Sequence, residues 1–273
     1  MIKKFGIIGK PIKHSLSPVL HNYWFEKYDI NASYSIIDVE EDNLKGIVNK
    51  IKDKALSGLN ITLPYKQKIV PHLDYLVNDA EITSSVNTLY LDKKNNTVGE
   101  NTDVFGLQAA YLKEVDKASE KKALVIGAGG VSPSVILSLE KSGVKNISII
   151  NRTYEKCIFL KKRFKNIKII EWDKLEMAIK DYDIIINATS LGLKNEKDFS
   201  FNFKNTKENL IFIDTIYNPL ETKTLKFLKD KNTKVFNGLE MFIYQGQKAF
   251  YLWNKINPEI DQKLIELLIS KLK

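Results

Sequence analysis

Residues 122–131 read K-A-L-V-I-G-A-G-G-V, an apolar run of strand length that ends directly in glycines. A helical pattern, Val131–Ser142, follows at once. A buried strand that turns through glycine into a helix leaves few folds open. The backbone must reverse within a few residues, and the helix's unpaired amides then face the end of the strand. This is the context in which a dinucleotide fingerprint carries weight. Gly127 allows the tight turn and Gly129 lets the backbone approach a pyrophosphate, with Ala128, Gly130 and Val131 completing the loop. The spacing is G-x-G-G where G-x-G-x-x-G is usual. Val131-Ser132 stand where the third glycine is expected, so a bare glycine turn stays open as the alternative.

The rest of the chain agrees with such a fold. Short β-rich runs alternate with helical patterns, which predicts an α/β architecture with parallel strands. Strands are predicted over Lys4–Ile8, Tyr34–Asp38, Ser57–Thr62 and Asn87–Leu91, and helices over Pro18–Tyr28 and Asp42–Ile51. From residue 122 the rhythm is more regular. Strands Lys122–Ile126, Asn146–Ile150, Ile167–Ile170, Asp183–Asn187 and Leu210–Asp214 go with helices Val131–Ser142 and Tyr154–Phe164. The last segments, Leu239–Trp253 and Glu259–Leu272, read as helices. A change of rhythm near 104–121 marks a boundary, crossed by a helix over Asp103–Val115. At 273 residues the chain can hold one large domain or two of ordinary size.

The formal net charge of +9 raises the question of nucleic acid, but the lysines are spread along the chain and interleaved with acids. The densest run, Lys161-Lys162-Arg163-Phe164-Lys165, reads as the solvated face of a helix. A diffuse positive field favours anionic small molecules instead. The only cysteine, Cys157, excludes an internal disulfide and makes a reducing cytoplasm the default. Histidines 14, 21 and 72 lack zinc-type spacing, so no metal is expected. No apolar run nears the ~20 residues of a membrane span. The N-terminal Met1-Ile2-Lys3-Lys4-Phe5 enters a strand without a leader pattern. The expected partner is a small molecule, with no nucleic acid and no membrane, and the chain acts as a monomer or homodimer.

Two strand ends carry polar residues worth singling out. The first is Asn151-Arg152-Thr153, with Lys156 one turn further on. NAD-binding domains usually place an acid there for the ribose diol. A guanidinium and an ammonium suit a 2′-phosphate instead, which favours NADP over NAD. The alternative is that Arg152 is simply a surface residue. The second is Asn60-Ile61-Thr62-Leu63, which Pro64 stops just before Lys66. Taken alone, a lysine just past a strand reads as solvated.

Several segments then line up with one family. They are Gly9-Lys10-Pro11-Ile12-Lys13-His14-Ser15-Leu16-Ser17-Pro18, Asn60 to Lys66, Val86-Asn87-Thr88 and Gly99-Glu100-Asn101-Thr102-Asp103-Val104-Phe105-Gly106. Gly127 to Val131, Asn151-Arg152-Thr153, Asn187-Ala188-Thr189-Ser190, Tyr217-Asn218-Pro219 and Asn237-Gly238-Leu239-Glu240-Met241 through Gln245-Gly246 follow in order. The chain resembles shikimate dehydrogenase over essentially its whole length.

The resemblance implies NADPH-dependent reduction of 3-dehydroshikimate to shikimate, on the route to aromatic amino acids. It implies a mixed α/β substrate domain, residues 1–103 plus 239–273, and a Rossmann-like NADP-binding domain, residues 104–238, with the active site in a groove between them. Lys66 and Asp103 become the catalytic pair beside the substrate's C3 oxygen. Ser15 and Ser17 take its carboxylate, and Asn60, Thr62, Asn87, Tyr217 and Gln245 its ring hydroxyls. Thr189, Thr215 and Gly238 join the glycine loop, Asn151, Arg152, Thr153 and Lys156 around NADP. Local readings stay open beside these: Asp103 as a helix cap, and Ser17-Pro18 as a cap followed by a first-turn proline. Two departures are visible. Pro133 stands where many relatives carry a basic residue, and Lys156 where arginine is common. The rival readings are a relative with relaxed use of quinate or NAD, and a non-catalytic nucleotide-sensing module.

Overall fold

Two six-stranded sheets form, one in each of two units of the chain: residues 1–102 with 245–273, and residues 103–244. The computed structural model describes residues 2–272 apart from Glu114, Asn195, Asn202 and Asn232.

In the first unit, strands β1 (Lys3–Ile8), β2 (Ala32–Ile36), β3 (Gly58–Ile61), β4 (Tyr75–Leu76), β5 (Thr88–Leu91) and β6 (Thr97–Glu100) lie in the order β2-β1-β3-β5-β6-β4. β1 runs parallel to β2 and β3, whereas β5 is antiparallel to β3 and β6, so the sheet is mixed. The connections explain the difference. Helices Ser17–Lys27 and Leu44–Lys52 carry the parallel crossovers. A tight turn makes the antiparallel pair. There Asp92 Oδ1 accepts the amides of Lys94 and Asn96, and Asn95 adopts a φ of 63°. The Leu44–Lys52 helix buries Leu44, Ile47, Val48 and Ile51, the spacing of a single apolar stripe. The C-terminal Gln262–Ser270 helix starts later than the predicted Glu259, because Asp261 caps it by accepting the Leu264 amide.

The second unit holds β7 (Lys122–Ile126), β8 (Asn146–Ile150), β9 (Lys168–Ile170), β10 (Ile184–Asn187), β11 (Ile211–Asp214) and β12 (Lys234–Phe236). They run parallel in the order β12-β11-β10-β7-β8-β9. From β7 the chain winds outward to one edge, then returns to β10 and winds to the other. That is the doubly wound, Rossmann-type order, with its switch point between β7 and β10. Both faces of the sheet are covered. Val125, Ile149 and Ile186 pack on one side with Val135 and Leu139, whereas Leu124, Ile126, Ile150 and Ile185 pack on the other with Phe212. The helix that begins at Asp103 is α-helical to Leu107 and continues as a wider π turn over Gln108–Leu112. Residues 113–115, the end of the predicted helix, include Glu114, which lies outside the described residues. No described helix is long and apolar enough to cross a membrane.

Candidate active site

The carboxyl ends of β7, β8, β10 and β11 gather the predicted nucleotide residues of the second unit. Gly127 has a φ of +113°, and a Cβ there would lie 2.8 Å from the Ala188 carbonyl oxygen. Turn and packing both require glycine at that position. Gly129 is different: the nearest neighbour of an added Cβ would be the Ala188 oxygen, at 3.9 Å. Packing within the protein therefore does not demand glycine at 129, whereas a ligand lying against its backbone would. Ser132, where a third glycine was expected, takes the Gly129 amide onto its Oγ at 2.9 Å and fixes the loop against the Ser132–Lys141 helix. Asn151 braces the loop from the other side. Its Oδ1 accepts the Ala128 amide at 3.1 Å and its Nδ2 donates to the Thr153 carbonyl. Arg152, Thr153 and Lys156 are exposed beyond the end of β8, with Glu155 the acid nearest in sequence. A cradle of glycine backbone at a helix N-terminus, next to an arginine and a lysine, fits a phosphorylated dinucleotide.

Around the ends of β10 and β11, Asn187, given no role of its own within the Asn187-Ala188-Thr189-Ser190 motif, organises the others. Asn187 Oδ1 accepts the Thr189 amide and hydroxyl, its carbonyl accepts the Thr215 hydroxyl, and its Nδ2 donates to Asp214. Asp214 also accepts the Ile216 amide and the Thr222 hydroxyl. Burial pushes its carboxyl up to about 6, against the pull of those donors. Gly238 passes so close to this cluster that a Cβ would sit 2.3 Å from the Thr215 oxygen. Tyr217, half-buried in the same unit, packs its ring on Phe242 at 4.9 Å.

In the first unit, Lys66 is only 8% exposed, so the solvated reading of this lysine fails. Pro64 ends the β3 segment, and Lys66 falls in the short Tyr65–Lys68 turn of helix. There its carbonyl accepts the Val86 amide, next to Asn87. Asn87 is 2% exposed: its Oδ1 accepts the Thr102 amide and the Thr88 hydroxyl, and its Nδ2 donates to Thr102 Oγ1 and to Gln245 Oε1. Asn60, also buried, takes the Tyr34 hydroxyl on Oδ1 at 2.7 Å and donates to the Asn87 carbonyl and Thr88 Oγ1. Thr62 is half-buried beside Gly9. Asp103, 5% exposed, begins the second unit as the first helical residue after Thr102.

The capping expectation at Ser17 is corrected. Leu16 occupies the cap position of the Ser17–Lys27 helix with no side-chain bond, while Ser15 Oγ accepts the Ser17 amide at 3.2 Å. Serine 15 closes the turn because Ser17 already has helical geometry and is buried.

Beneath these groups, His21 is fully buried and stacks on the Tyr34 ring at 4.5 Å. Neither ring nitrogen meets hydrogen-bond geometry, although Asn60 lies near enough to favour the charged form slightly. Burial dominates and pulls the imidazole down to about 3 from an ordinary 6.5. The unfolded chain therefore takes up a proton, as pH falls below 6.5, that the folded one refuses until about 3. Stability through this group is full above that window and falls within it, by about 2 kcal/mol between pH 7 and 5. Asp214 acts oppositely, since its raised folded value favours the folded state as pH falls from about 6. Comparison with His21→Phe isolates the histidine: urea unfolding should show a pH 7-to-5 loss smaller by about 2 kcal/mol in the variant. Equal losses in the two proteins would mean that the imidazole is not held neutral.

Known proteins share this arrangement along the chain. A family model described as the shikimate dehydrogenase substrate binding domain matches residues 7–89, and one described as shikimate / quinate 5-dehydrogenase matches residues 110–229. The NADP(+) shikimate dehydrogenase of Pelagibacter ubique is 46% identical over 98% of this chain and 99% of its own. The crystal structure of shikimate dehydrogenase from Aquifex aeolicus superposes with a TM-score of 0.88 at 35% identity, covering 98% of this chain and 97% of that one. The Thermus thermophilus enzyme, solved with NADP(H) and shikimate, gives 0.87 at 29% identity with both chains fully covered. Likeness that runs through the mixed sheet and the doubly wound sheet alike, at nearly half identity over the full length, means that the chain belongs to the shikimate dehydrogenase family.

Proposed function

We propose that the chain reduces 3-dehydroshikimate to shikimate, reversibly, with NADPH as its cofactor. The observation that carries this reading is the burial of Lys66, at 8% exposure, on the segment that adjoins Asn87. A nucleotide sensor needs no buried ammonium there, and burying a cation is costly unless it is used or paired. In this reading the first unit is the substrate domain and the second holds NADP on the Gly127–Val131 loop, Arg152 and Lys156. The neighbourhood of Asn187, with Thr189, Thr215 and Gly238, receives the nicotinamide end.

NADPH, when bound, supplies the hydride that reduces the ketone. The chain's own task is the proton. Lys66 donates it to the oxygen that becomes alkoxide, with Asp103 as the other member of the acid–base pair. Ser15 and Ser17 hold the carboxylate, while Asn60, Thr62, Asn87, Tyr217 and Gln245 read the ring hydroxyls. Cys157, buried, with its thiol pushed up to about 11, fits a reducing cytoplasmic setting. The chain works there as a monomer or homodimer.

The deciding experiment follows reduced-nicotinamide absorbance with shikimate or quinate, each paired with NADP or NAD. Shikimate with NADP should give the highest kcat/KM. A preference for quinate or for NAD would overturn the assignment.

The serines give a separate test. The double variant Ser15→Ala, Ser17→Ala should raise KM for shikimate with little change in kcat, because the carboxylate is held equally before and during reaction. Two bonds to a charged group are worth about 1.5–3 kcal/mol each, with a combined effect below their sum. An unchanged KM in the folded double variant would reduce both residues to fixing the start of the helix.

A further inference from the structure

The turn that joins β12 to the helix beginning at Leu239 must be capped without the usual side chain. The first amides of a helix lack partners within it, and a side chain at the cap position normally accepts one of them. Here the residue before the helix is Gly238, which has no side chain to offer. Glycine is required there, because a Cβ would collide with the Thr215 carbonyl oxygen. Asn237, one residue earlier, accepts the Leu239 amide on Oδ1 at 3.0 Å. The Met241 amide, at the third helical position, is one that a cap would normally take. It donates instead to the Tyr111 phenol oxygen at 3.2 Å. The phenol's own proton goes to the Asn237 carbonyl. Tyr111 thus bridges the chain on the two sides of Gly238, with one bond to each.

We infer that Tyr111 is a positioning residue for the nicotinamide half of the cofactor: it supplies the cap that Gly238 cannot, and so keeps the Asn237–Met241 turn closed against Thr215. This rests on the NADPH reading above, in which Thr215 and Gly238 receive that half. The Gly238 amide is itself anchored to the Ile216 carbonyl at 2.8 Å. That bond fixes one point, and the two phenol bonds fix the chain on either side of it. The tyrosine is well held for the task. It is 7% exposed, and its ring packs on Phe236, the last residue of β12, with 5.0 Å between centroids. A fixed ring leaves the hydroxyl little freedom to move off the turn. The π turn over Gln108–Leu112 helps to set where that ring points. A π turn takes in one residue more than an α turn, which redirects side chains within and beyond it by up to about 100° around the axis. The same helix begins at Asp103, so one element carries both the proposed catalytic carboxylate and the brace of the cofactor turn.

Tyr111→Phe keeps the ring and deletes both bonds. Direct titration should show NADPH bound about 3- to 30-fold more weakly by the variant. Adenosine 2′,5′-bisphosphate, which reaches only the Arg152 end of the site, should bind as it does to the unmodified chain. A residue that served stability alone would lower the melting temperature without separating the two ligands. Unchanged NADPH affinity in folded Tyr111→Phe, or equal weakening of both ligands, would overturn the inference and leave Tyr111 a core residue. Binding of neither ligand by the unmodified chain would overturn the NADPH reading, and this inference with it. If Tyr111→Phe does not fold, hydrogen exchange of the Met241 amide in the unmodified chain decides. Exchange that NADPH slows supports the brace, and exchange that NADPH leaves unchanged overturns it.

Discussion

Lys66→Ala is expected to lower kcat by about 10²–10⁴ while KM for shikimate changes far less. Hydride delivery to a ketone carbon leaves charge on oxygen, and a positioned ammonium meets that charge only as it develops. Such an interaction acts on the transition state and not on the bound substrate, so its loss appears in kcat. The structure adds weight to the prediction because Lys66 is buried. The role of a solvated lysine could be taken over by water more readily than that of a buried one. The measurement is steady-state turnover of shikimate with NADP for the purified variant, with melting temperature as the control for folding. A kcat near that of the unmodified chain, in a folded variant, would remove Lys66 from the proton step and leave it a structural cation.

What the sequence made legible follows from where information is local. The β7 strand, its glycine loop and the helix after it are contiguous, so residues 122–141 announce themselves. The buried parallel strands β8, β10 and β11 read easily because apolar runs on both faces need no alternation. Strands β4, β6 and β12 escaped notice, since two to four residues with a glycine or a half-exposed face carry little pattern. The polar network was hidden for another reason. Tyr34, Asn60, Asn87 and Gln245 are far apart in the chain, and each looks like an ordinary polar residue until the fold brings it to its partners. The burial of Lys66 belongs to the same class, because it arises only in the folded chain. Asn187 and Asp214 end apolar strands, a position where polar residues are common, so their role in ordering the loops that carry Thr189 and Thr215 could not be read in advance.

Arg152→Ala should weaken NADP strongly and leave NAD nearly untouched. Arg152 is exposed beyond the end of β8, at the strand tip that in a doubly wound sheet lies beside the adenosine ribose. No acid replaces it there: Glu155, the nearest in sequence, belongs to the first turn of the following helix. Asn151, the other polar residue of the tip, is engaged by the Ala128 amide and the Thr153 carbonyl, which leaves the guanidinium as the group best suited to a 2′-phosphate. Hydrogen bonds to a dianion of this kind contribute about 1.5–3 kcal/mol, or roughly 10- to 150-fold in affinity. Lys156→Ala should act in the same direction but less, since an ammonium on a flexible stem is a point charge and not a fork. Added salt should narrow the preference of the unmodified chain for NADP, because both cations are exposed and their attraction is screened. The check is KM and kcat for each cofactor at saturating shikimate, at low and high ionic strength. Equal losses for NADP and NAD in Arg152→Ala would show that the arginine supports the loop and does not select the phosphate, and the basis of cofactor choice would then lie elsewhere in the second unit.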